Sequence, residues 1–263
     1  MKSAIVIPAR LQSTRLPRKL LLNETGMALI EHTWRAAGTS NLADQVLVAT
    51  DSDEIFEAVK SFGGQPVMTA VEHQSGSDRV AEAAQDLDAD IIINLQGDEP
   101  EVKGSDIDRL IERLSSDEQI EVATLATPIN TKKQLLDPSC VKVVLDKNGH
   151  ALYFSRSPIP SVKDPLKLDT YFQSMANIEH AGEAPVKEAP VFLQHLGIYG
   201  YRKACLSQLS NLEPSPLEDF ESLEQLRFLA NGWKLGVEIV AQAANGIDTI
   251  EDYAAFVNRM KKS

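Results

Sequence analysis

The apolar residues of the chain form short runs that alternate with stretches of helical spacing. The runs are rich in β-branched and aliphatic residues, which suits strands of a sheet covered on both faces. These predicted strands lie at residues 4–7, 46–49, 91–95, 122–126 and 141–145. The helical stretches lie at residues 28–37, 54–62, 80–87 and 107–114. This alternation predicts βαβ units and an α/β fold, with a mostly parallel sheet flanked by helices.

The second half of the chain has a less regular pattern. Residues 151–155 and 192–201 are predicted strands, and residues 217–229 and 250–260 are predicted helices. Residues 161–190 contain three prolines, mixed charge and weak periodicity, so we expect a structureless excursion that buries little apolar surface. The whole chain, residues 1–263, is predicted to form a single domain with this excursion and a small appended lobe.

The composition is that of a globular protein with an acidic surface. The 263 residues are 43 % hydrophobic and 24 % charged, and the formal net charge is −12. A surface of this sign repels nucleic acid and anionic membranes, so neither is an expected partner. The two cysteines lie far apart and form no CxxC motif, which predicts a reducing, cytoplasmic location. No apolar run approaches the roughly 20 residues that a membrane span needs.

A basic segment follows the first predicted strand. Residues 10–19 contain four cations and no acid: Arg10, Arg15, Arg18 and Lys19. In an open α/β sheet, ligands bind at the carboxyl ends of the strands, where this segment begins. Its position in an otherwise acidic chain favours polyphosphate binding over a merely solvated loop. The segment is not a Walker A motif, and the chain contains no GxGxxG motif. The sequence therefore argues against an ATPase and against a dinucleotide-binding protein.

Two aspartates are candidate metal ligands. Asp98 follows the run at residues 91–95, at the same predicted edge as the basic segment, and a carboxylate beside substrate phosphates is a typical Mg²⁺ ligand. The spacing fits a turn-capping role of Asp98 equally well. Asp248 lies just before Thr249 and Asp252, which predict a helix N-terminus. Standing alone, Asp248 is more typical of capping chemistry than of metal binding.

The remaining polar candidates lie in the second half of the chain. His195 shares strand parity with Tyr199 and Tyr201, so these three side chains are predicted on one face, where they could line a polar pocket. A lone strand histidine is more often structural than catalytic. Glu224 borders a predicted apolar stripe of its helix and, with Gln225, is a candidate for binding sugar hydroxyls; an exposed helix face is the common alternative. The chain has no GxSxG or HExxH motif.

Several of these segments together resemble the 3-deoxy-manno-octulosonate (Kdo) cytidylyltransferases, the CMP-Kdo synthetases of Gram-negative bacteria. The segments are IPARLQSTRLPRK, EHQSGSDR, NLQGDEP, VKVVLD with ALYFSR, HLGIYGYR, PSPLEDFESLEQLR and GIDTIED, in the family's order across nearly the whole chain. The resemblance implies a Rossmann-like nucleotidyltransferase fold with a small dimerisation lobe, and a homodimer. It also implies that CTP and Kdo are converted to CMP-Kdo and diphosphate with Mg²⁺, for lipopolysaccharide biosynthesis.

The resemblance further implies roles for individual residues. Those implied in catalysis are Arg10, Arg15 and Lys19, which would hold the CTP phosphates, and Asp98 and Asp248, which would hold Mg²⁺. Ser75 and Gly76 would lie near the cytidine. The residues that would line the Kdo pocket are Gln96, Arg156, His195, Tyr199, Glu224 and Gln225. Arg156 would bind the carboxylate of the sugar, because a guanidinium group matches a carboxylate geometrically.

Two other functions remain open from the sequence. An enzyme that activates another acidic sugar, such as 8-amino-Kdo or a sialic acid, would share the nucleotide motifs. A non-catalytic nucleotide- or sugar-binding protein of the same fold would be expected to lack Asp98 or Asp248, and both are present. The chain also departs from the family pattern: Arg18 replaces the usual Gly before the loop lysine, and residues 161–190 are longer than the usual segment and lack its Trp.

Overall fold

The computed structural model describes residues 1–13, 15–73, 75–181 and 190–262, without the side chains of residues 175–181 and 210. The chain forms two compact units. The first unit contains Met1–Ala123, Gly197–Asn211 and Ala244–Ser263, and the second contains Thr124–Leu196 and Leu212–Ala243. The single domain with an excursion near residues 161–190 stays a prediction.

The strands of the described chain agree with the predicted apolar runs to within a few residues. They are β1 (Ser3–Ala9), β2 (Gln45–Thr50), β3 (Gln65–Met68), β4 (Ile91–Asn94), β5 (Val122–Pro128), β6 (Lys142–Leu145), β7 (Ala151–Ser155), β8 (Leu193–Arg202) and β9 (Leu235–Ile239). The short strands β3 and β9 were not predicted. β3 has four residues and none of them is buried, and the apolar residues of β9 alternate with Gly and Glu instead of forming a continuous run.

The first unit contains the mostly parallel sheet that the sequence predicts. Its strand order is β3-β2-β1-β4-β8. β1 runs parallel to β2 and β4, and β2 runs parallel to β3, whereas the C-terminal part of β8 is antiparallel to β4. Every residue of β1 is buried, as expected for a continuous apolar run in the middle of a covered sheet.

The helices of the described chain separate the strands. They are α1 (Leu29–Ala37), α2 (Asp53–Ser61), α3 (Gly76–Ala84), α4 (Gly104–Ser116), α5 (Lys132–Leu136), α6 (Pro165–Ala181), α7 (Lys203–Leu206), α8 (Pro216–Glu221), α9 (Gln225–Ala230) and α10 (Ile250–Met260). The predicted start of α10 is confirmed, because Thr249 and Asp252 form a reciprocal capping box. Across the described residues, every helix is too short or too polar to cross a bilayer.

The second unit is built on antiparallel pairs. β6 pairs with β7 and with the N-terminal part of β8, and the strand order continues from β8 to β5 and β9. The hairpin of β6 and β7 also reaches β9, through a bridge between His150 and Gly236. This unit supplies most of the residues that the resemblance assigns to the sugar.

The helix α6 overturns the expectation of a structureless segment at residues 161–190. Leu168, Tyr171 and Phe172 pack against a buried cluster that includes Phe192. The rings of Tyr171 and Phe172 have their centroids 5.2 and 6.0 Å from that of Phe192. The expectation of little buried apolar surface is therefore wrong for α6. Leu168, Tyr171 and Phe172 form one i, i+3, i+4 set among charged residues, which is too short to be recognised as helical periodicity. Residues 182–189 of this prediction lie outside the described residues.

The single helix predicted at residues 217–229 is two helices, α8 and α9. Ser222 has a φ of 50° in the left-handed region and ends α8. Phe220 is 93 % exposed, Leu217 is also exposed and α8 buries none of its residues, so Leu223 alone of the predicted apolar stripe (Leu217, Phe220 and Leu223) is buried. The core contact instead begins at Leu223 and continues along α9.

Candidate active site

The carboxyl ends of β1 and β4 carry a cavity of about 310 Å³ in the first unit. These strands are parallel neighbours, so the segments that follow them meet at one edge of the sheet. Of the residues singled out from the sequence, those lining the cavity are Arg10, Lys19, Gly76, Gln96 and Asp98. Three separate segments of the chain therefore meet where the sequence predicts ligand binding.

Lys19 connects the two predicted metal ligands. Its ammonium group forms an ion pair with Asp98 and lies 3.3 Å from Oδ1 of Asp248. It also donates a hydrogen bond of 2.9 Å to the carbonyl oxygen of Ile247. The Lys19 side chain is only 12 % exposed. The structure therefore brings Asp98 and Asp248 to the same ammonium group, which the resemblance assigns to the phosphates.

The arginines of the basic segment have partners as well. Nη1 of Arg15 lies 3.1 Å from Oδ2 of Asp248, and both side chains are at least half exposed. Nη2 of Arg10 donates a hydrogen bond of 3.0 Å to the carbonyl oxygen of His73. Arg18 pairs with Glu54 at the surface. The cations of this segment are thus balanced by acids and carbonyl oxygens that a polyphosphate would have to replace.

Glu99 is a third acid at this edge, and its role was not predicted from the sequence. Burial, with repulsion from Asp98 and Asp248, raises the pKa of Glu99 to about 7. A Cβ atom at Gly246 would lie 2.9 Å from Oε1 of Glu99, so the carboxyl group of Glu99 lies directly against the backbone of Gly246. The position of Glu99 directly after Asp98 was the feature of the sequence that could have indicated a second acid at this site.

Ser75 and Gly76, which the resemblance places near cytidine, begin α3. The Ser75 side chain accepts a hydrogen bond of 3.0 Å from the Asp78 amide and donates one of 2.7 Å to the Asp78 carboxylate. A Cβ atom at Gly76 would lie 3.4 Å from Pro8 and 3.7 Å from the amide group of Gln96. Gly76 therefore lines the cavity beside Gln96 and is half-buried.

In the second unit, the Arg156 guanidinium group is held by backbone carbonyl oxygens. It donates hydrogen bonds to Glu221 at 2.7 Å, to Pro138 at 3.1 Å and to Ser222 at 3.2 Å. A guanidinium group has five N–H bonds, so these contacts use three of them. The remaining two are sufficient for the predicted contact with a sugar carboxylate.

His195 is buried in the second unit and is uncharged at neutral pH. Burial lowers its pKa to about 3. Its Nε2 lies 3.0 Å from Oγ1 of Thr124, and its ring packs edge-on against Phe154 with centroids 4.9 Å apart. These contacts make His195 a neutral hydrogen-bonding group and not a cation for an acidic ligand.

The two tyrosines of β8 lie on one face, as predicted, but differ in exposure. Their rings stack with centroids 6.0 Å apart; Tyr201 is buried and Tyr199 is half-buried. The expectation that both line a polar pocket is therefore wrong for Tyr201. In the second unit, Glu224 immediately precedes α9 and Gln225 is buried in its first turn. That Gln96, Arg156, His195, Tyr199, Glu224 and Gln225 line one sugar pocket stays a prediction.

Comparisons with known proteins agree with this architecture. A family model described as cytidylyltransferase matches residues 4–239. The 3-deoxy-manno-octulosonate cytidylyltransferases of Geobacter metallireducens and Rhodopirellula baltica are 38 % and 40 % identical over 262 residues, with 100 % and 99 % of this chain and 99 % of each relative covered. A solved CMP:2-keto-3-deoxy-manno-octonic acid synthetase complexed with CTP has a TM-score of 0.87 at 38 % identity, covering 100 % of this chain and 99 % of that one. The nucleotidyltransferase fold is confirmed, and the chain belongs to the cytidylyltransferase family, among the 3-deoxy-manno-octulosonate cytidylyltransferases.

Proposed function

We propose that this protein activates Kdo by transferring CMP from CTP to the sugar and releasing diphosphate, for lipopolysaccharide biosynthesis. The observation that carries the proposal is the meeting of Lys19, Asp98 and Asp248 beside the cavity at the carboxyl end of β1. Cations for a polyphosphate and carboxylates for a metal are both needed at one place in such a reaction. The names of the full-length relatives favour Kdo over another acidic sugar and over a binding protein without activity.

The reaction is an in-line displacement at the α-phosphorus. The anomeric hydroxyl of Kdo forms the new bond to phosphorus, the bond from phosphorus to the bridging oxygen of the β-phosphate breaks, and the hydroxyl proton is released. The protein positions the reactants and neutralises charge, with no covalent intermediate. Arg10, Arg15 and Lys19 would bind the triphosphate, and the two remaining N–H bonds of Arg156 would bind the Kdo carboxylate.

The residues at this edge fit a Mg²⁺ ion. Asp98 and Asp248 provide the hard oxygen ligands that Mg²⁺ prefers, and both already surround the positive charge of Lys19. Within the described part of the chain, no three His, Cys, Asp or Glu side chains converge on a metal site. Phosphate oxygens of the nucleotide would therefore complete the ligand set. When bound, the ion would screen the negative charge of the phosphates.

We also propose that the protein is a cytoplasmic homodimer. The second unit exposes several large apolar side chains, among them Leu152, Leu166 and Val191, which a partner copy would cover. The free thiols of Cys140 and Cys205 are compatible with a reducing compartment. Sedimentation equilibrium of the purified protein distinguishes the dimer from the monomer.

Diphosphate release from CTP tests the proposed reaction. We expect release with Mg²⁺ and Kdo, and little release when either is omitted. Parallel reactions with 8-amino-Kdo and N-acetylneuraminate test the sugar. Faster release with either of these sugars would assign a different acidic sugar, and no release with any of the three would contradict the enzymatic function.

A further inference from the structure

Lys142 is a completely buried lysine at the start of β6 in the second unit, within a segment that was predicted from its apolar residues. Its ammonium group donates hydrogen bonds to the carbonyl oxygens of Asp137 at 2.9 Å, Cys140 at 2.6 Å and Arg156 at 2.5 Å. A protonated lysine has three N–H bonds and an uncharged amine has two, so three acceptors match the charged form. Burying a charge is unfavourable unless the charge is fully hydrogen-bonded, so these three contacts are needed to keep the ammonium group at this position.

Lys142 and Arg156 hold the same short segment of the chain. Lys142 binds the carbonyl oxygens at both ends of residues 137–140, and Nη1 of Arg156 binds that of Pro138 between them, at 3.1 Å. Because Lys142 also binds the carbonyl oxygen of Arg156, the two cations and this segment form a closed set of contacts. Movement of the Arg156 backbone would break hydrogen bonds of both side chains.

Glu221 completes this arrangement from the end of α8. Its carboxylate accepts a hydrogen bond of 2.9 Å from the Arg156 amide and one of 2.6 Å from the Ser155 hydroxyl. The Arg156 backbone is therefore held at its N–H by Glu221 and at its C=O by Lys142. Its guanidinium group is held by carbonyl oxygens on both sides, as described above.

We propose that Lys142 is a positioning residue for the acidic sugar. Together with Glu221, it fixes the Arg156 backbone so that the two N–H bonds left on the guanidinium group are directed to the sugar carboxylate. The proposal rests on the proposed function, since it needs Arg156 to bind Kdo. Lys142 itself touches neither substrate. Its loss should therefore weaken binding of the sugar and leave binding of the nucleotide unchanged.

The substitution Lys142→Met tests this role, because methionine keeps an apolar stem of similar length and removes all three donors. We expect the KM for Kdo to rise about tenfold or more, since small displacements of a binding group have large effects. The KM for CTP should stay within about twofold of the wild-type value. Lys147→Met is the matched control, because Lys147 is an exposed lysine between β6 and β7; it should change neither constant.

Glu221→Gln provides a second, milder test that does not leave the buried carbonyl oxygens without donors. The neutral side chain can turn its oxygen to the Arg156 amide and its NH2 group to the Ser155 hydroxyl, so both contacts persist but the Arg156 amide loses a charged acceptor. A hydrogen bond to a neutral acceptor is weaker, so the KM for Kdo should rise about threefold. Hydrogen exchange of residues 155–157, followed by mass spectrometry, should become faster in both variants. This readout does not depend on activity.

The outcomes separate the proposal from the proposed function. Equal rises of both KM values, or a KM for Kdo within about twofold of the wild type in folded Lys142→Met, would overturn the positioning role. If Lys142→Met does not fold, an unchanged KM for Kdo and unchanged exchange in Glu221→Gln would overturn it. A wild-type protein that does not turn over CTP with Kdo would contradict the proposed function, whereas faster exchange in the variants would still support the fixing of Arg156.

Discussion

The two units hold their functional cations in different ways. In the first unit, Lys19 binds the carboxylates of Asp98 and Asp248 as well as one carbonyl oxygen, that of Ile247. In the second unit, Lys142 and Arg156 bind backbone carbonyl oxygens. An ion pair between side chains can exchange its partners when a phosphate or a metal ion arrives. Lys142, whose three N–H bonds all reach main-chain carbonyl oxygens, cannot do so without moving the backbone. We therefore call the nucleotide site of the first unit exchangeable and the proposed sugar site of the second unit fixed.

Burial acts on a titratable group in each unit, and in each it favours the uncharged form. In the first unit it raises the pKa of Glu99 to about 7, and in the second it lowers the pKa of His195 to about 3. The carboxyl group lies beside two other acids, which add to the shift. The imidazole is shifted by desolvation alone. Burial is therefore the main cause of both pKa shifts, and neighbouring charges add to it only at Glu99.

The largest expected effect comes from breaking the exchangeable site. Asp98→Asn and Asp248→Asn should each lower kcat by about 10²–10³, because each removes a carboxylate that neutralises charge during the reaction. Steady-state diphosphate release at saturating Mg²⁺ measures this, and the thermal midpoint checks the fold. Asp88→Asn is the matched control, since Asp88 also pairs with a lysine, Lys2, but at the surface. Near-normal turnover of either site variant would remove that residue from the metal site.

A smaller effect should follow from removing the ammonium group of Lys19. In Lys19→Met, Mn²⁺ should bind the nucleotide-free protein about tenfold more tightly, because a competing positive charge between two carboxylates is gone. CTP should bind more weakly, because a phosphate partner is lost. Electron paramagnetic resonance of free Mn²⁺ and calorimetry with CTP measure the two changes. Lys2→Met should change neither, and an unchanged Mn²⁺ affinity in Lys19→Met would show that the ammonium group does not compete with the ion.

The free energy of unfolding should depend on pH through His195, which lies in the second unit. Its pKa is about 3 in the folded state and near 6.5 when exposed. The unfolded chain therefore binds the extra proton first as the pH falls, and the free energy of unfolding contributed by this residue decreases from about pH 6.5 towards pH 3, by up to about 1.4 kcal/mol per pH unit. Urea unfolding at pH 7, 6 and 5 should show a shallower decrease for His195→Gln than for the wild type. Parallel curves would mean that His195 is not the responsible group.

The smallest expected effect concerns the backbone of Ser222, one of the residues whose carbonyl oxygen binds Arg156 in the second unit. Ser222 has a left-handed conformation and contributes its carbonyl oxygen to Arg156. Ser222→Gly should raise the free energy of unfolding by up to about 1 kcal/mol, because glycine adopts this conformation without steric strain. The KM for Kdo should not change, since the carbonyl oxygen is kept. Ser222→Val should be destabilising, and a stabilisation by valine would contradict the conformational argument.

Local patterns in the sequence were sufficient for much of the fold and for the location of the nucleotide site. The buried run of β1 and the capping box of α10 are visible in a few consecutive residues, because burial on both faces and helix capping each leave a short-range signature. The basic segment after β1 could be placed at the ligand-binding edge for the same reason, since strand direction follows from βαβ connectivity.

The pairings within the site depend on the path of the chain and could not be predicted from local patterns. Lys19 contacts Asp98 and Asp248, which lie 79 and 229 positions further along the chain. Glu221 and Arg156 are separated by 65 positions. The packing of α6 depends likewise on Phe192, and the burial of Lys142 on carbonyl oxygens that turn towards it only in the folded chain. A sequence pattern records the period of an element and the residues at its ends. Which distant groups satisfy a buried charge is determined by tertiary structure, because hydrogen bonds and ion pairs need their atoms within a few ångströms.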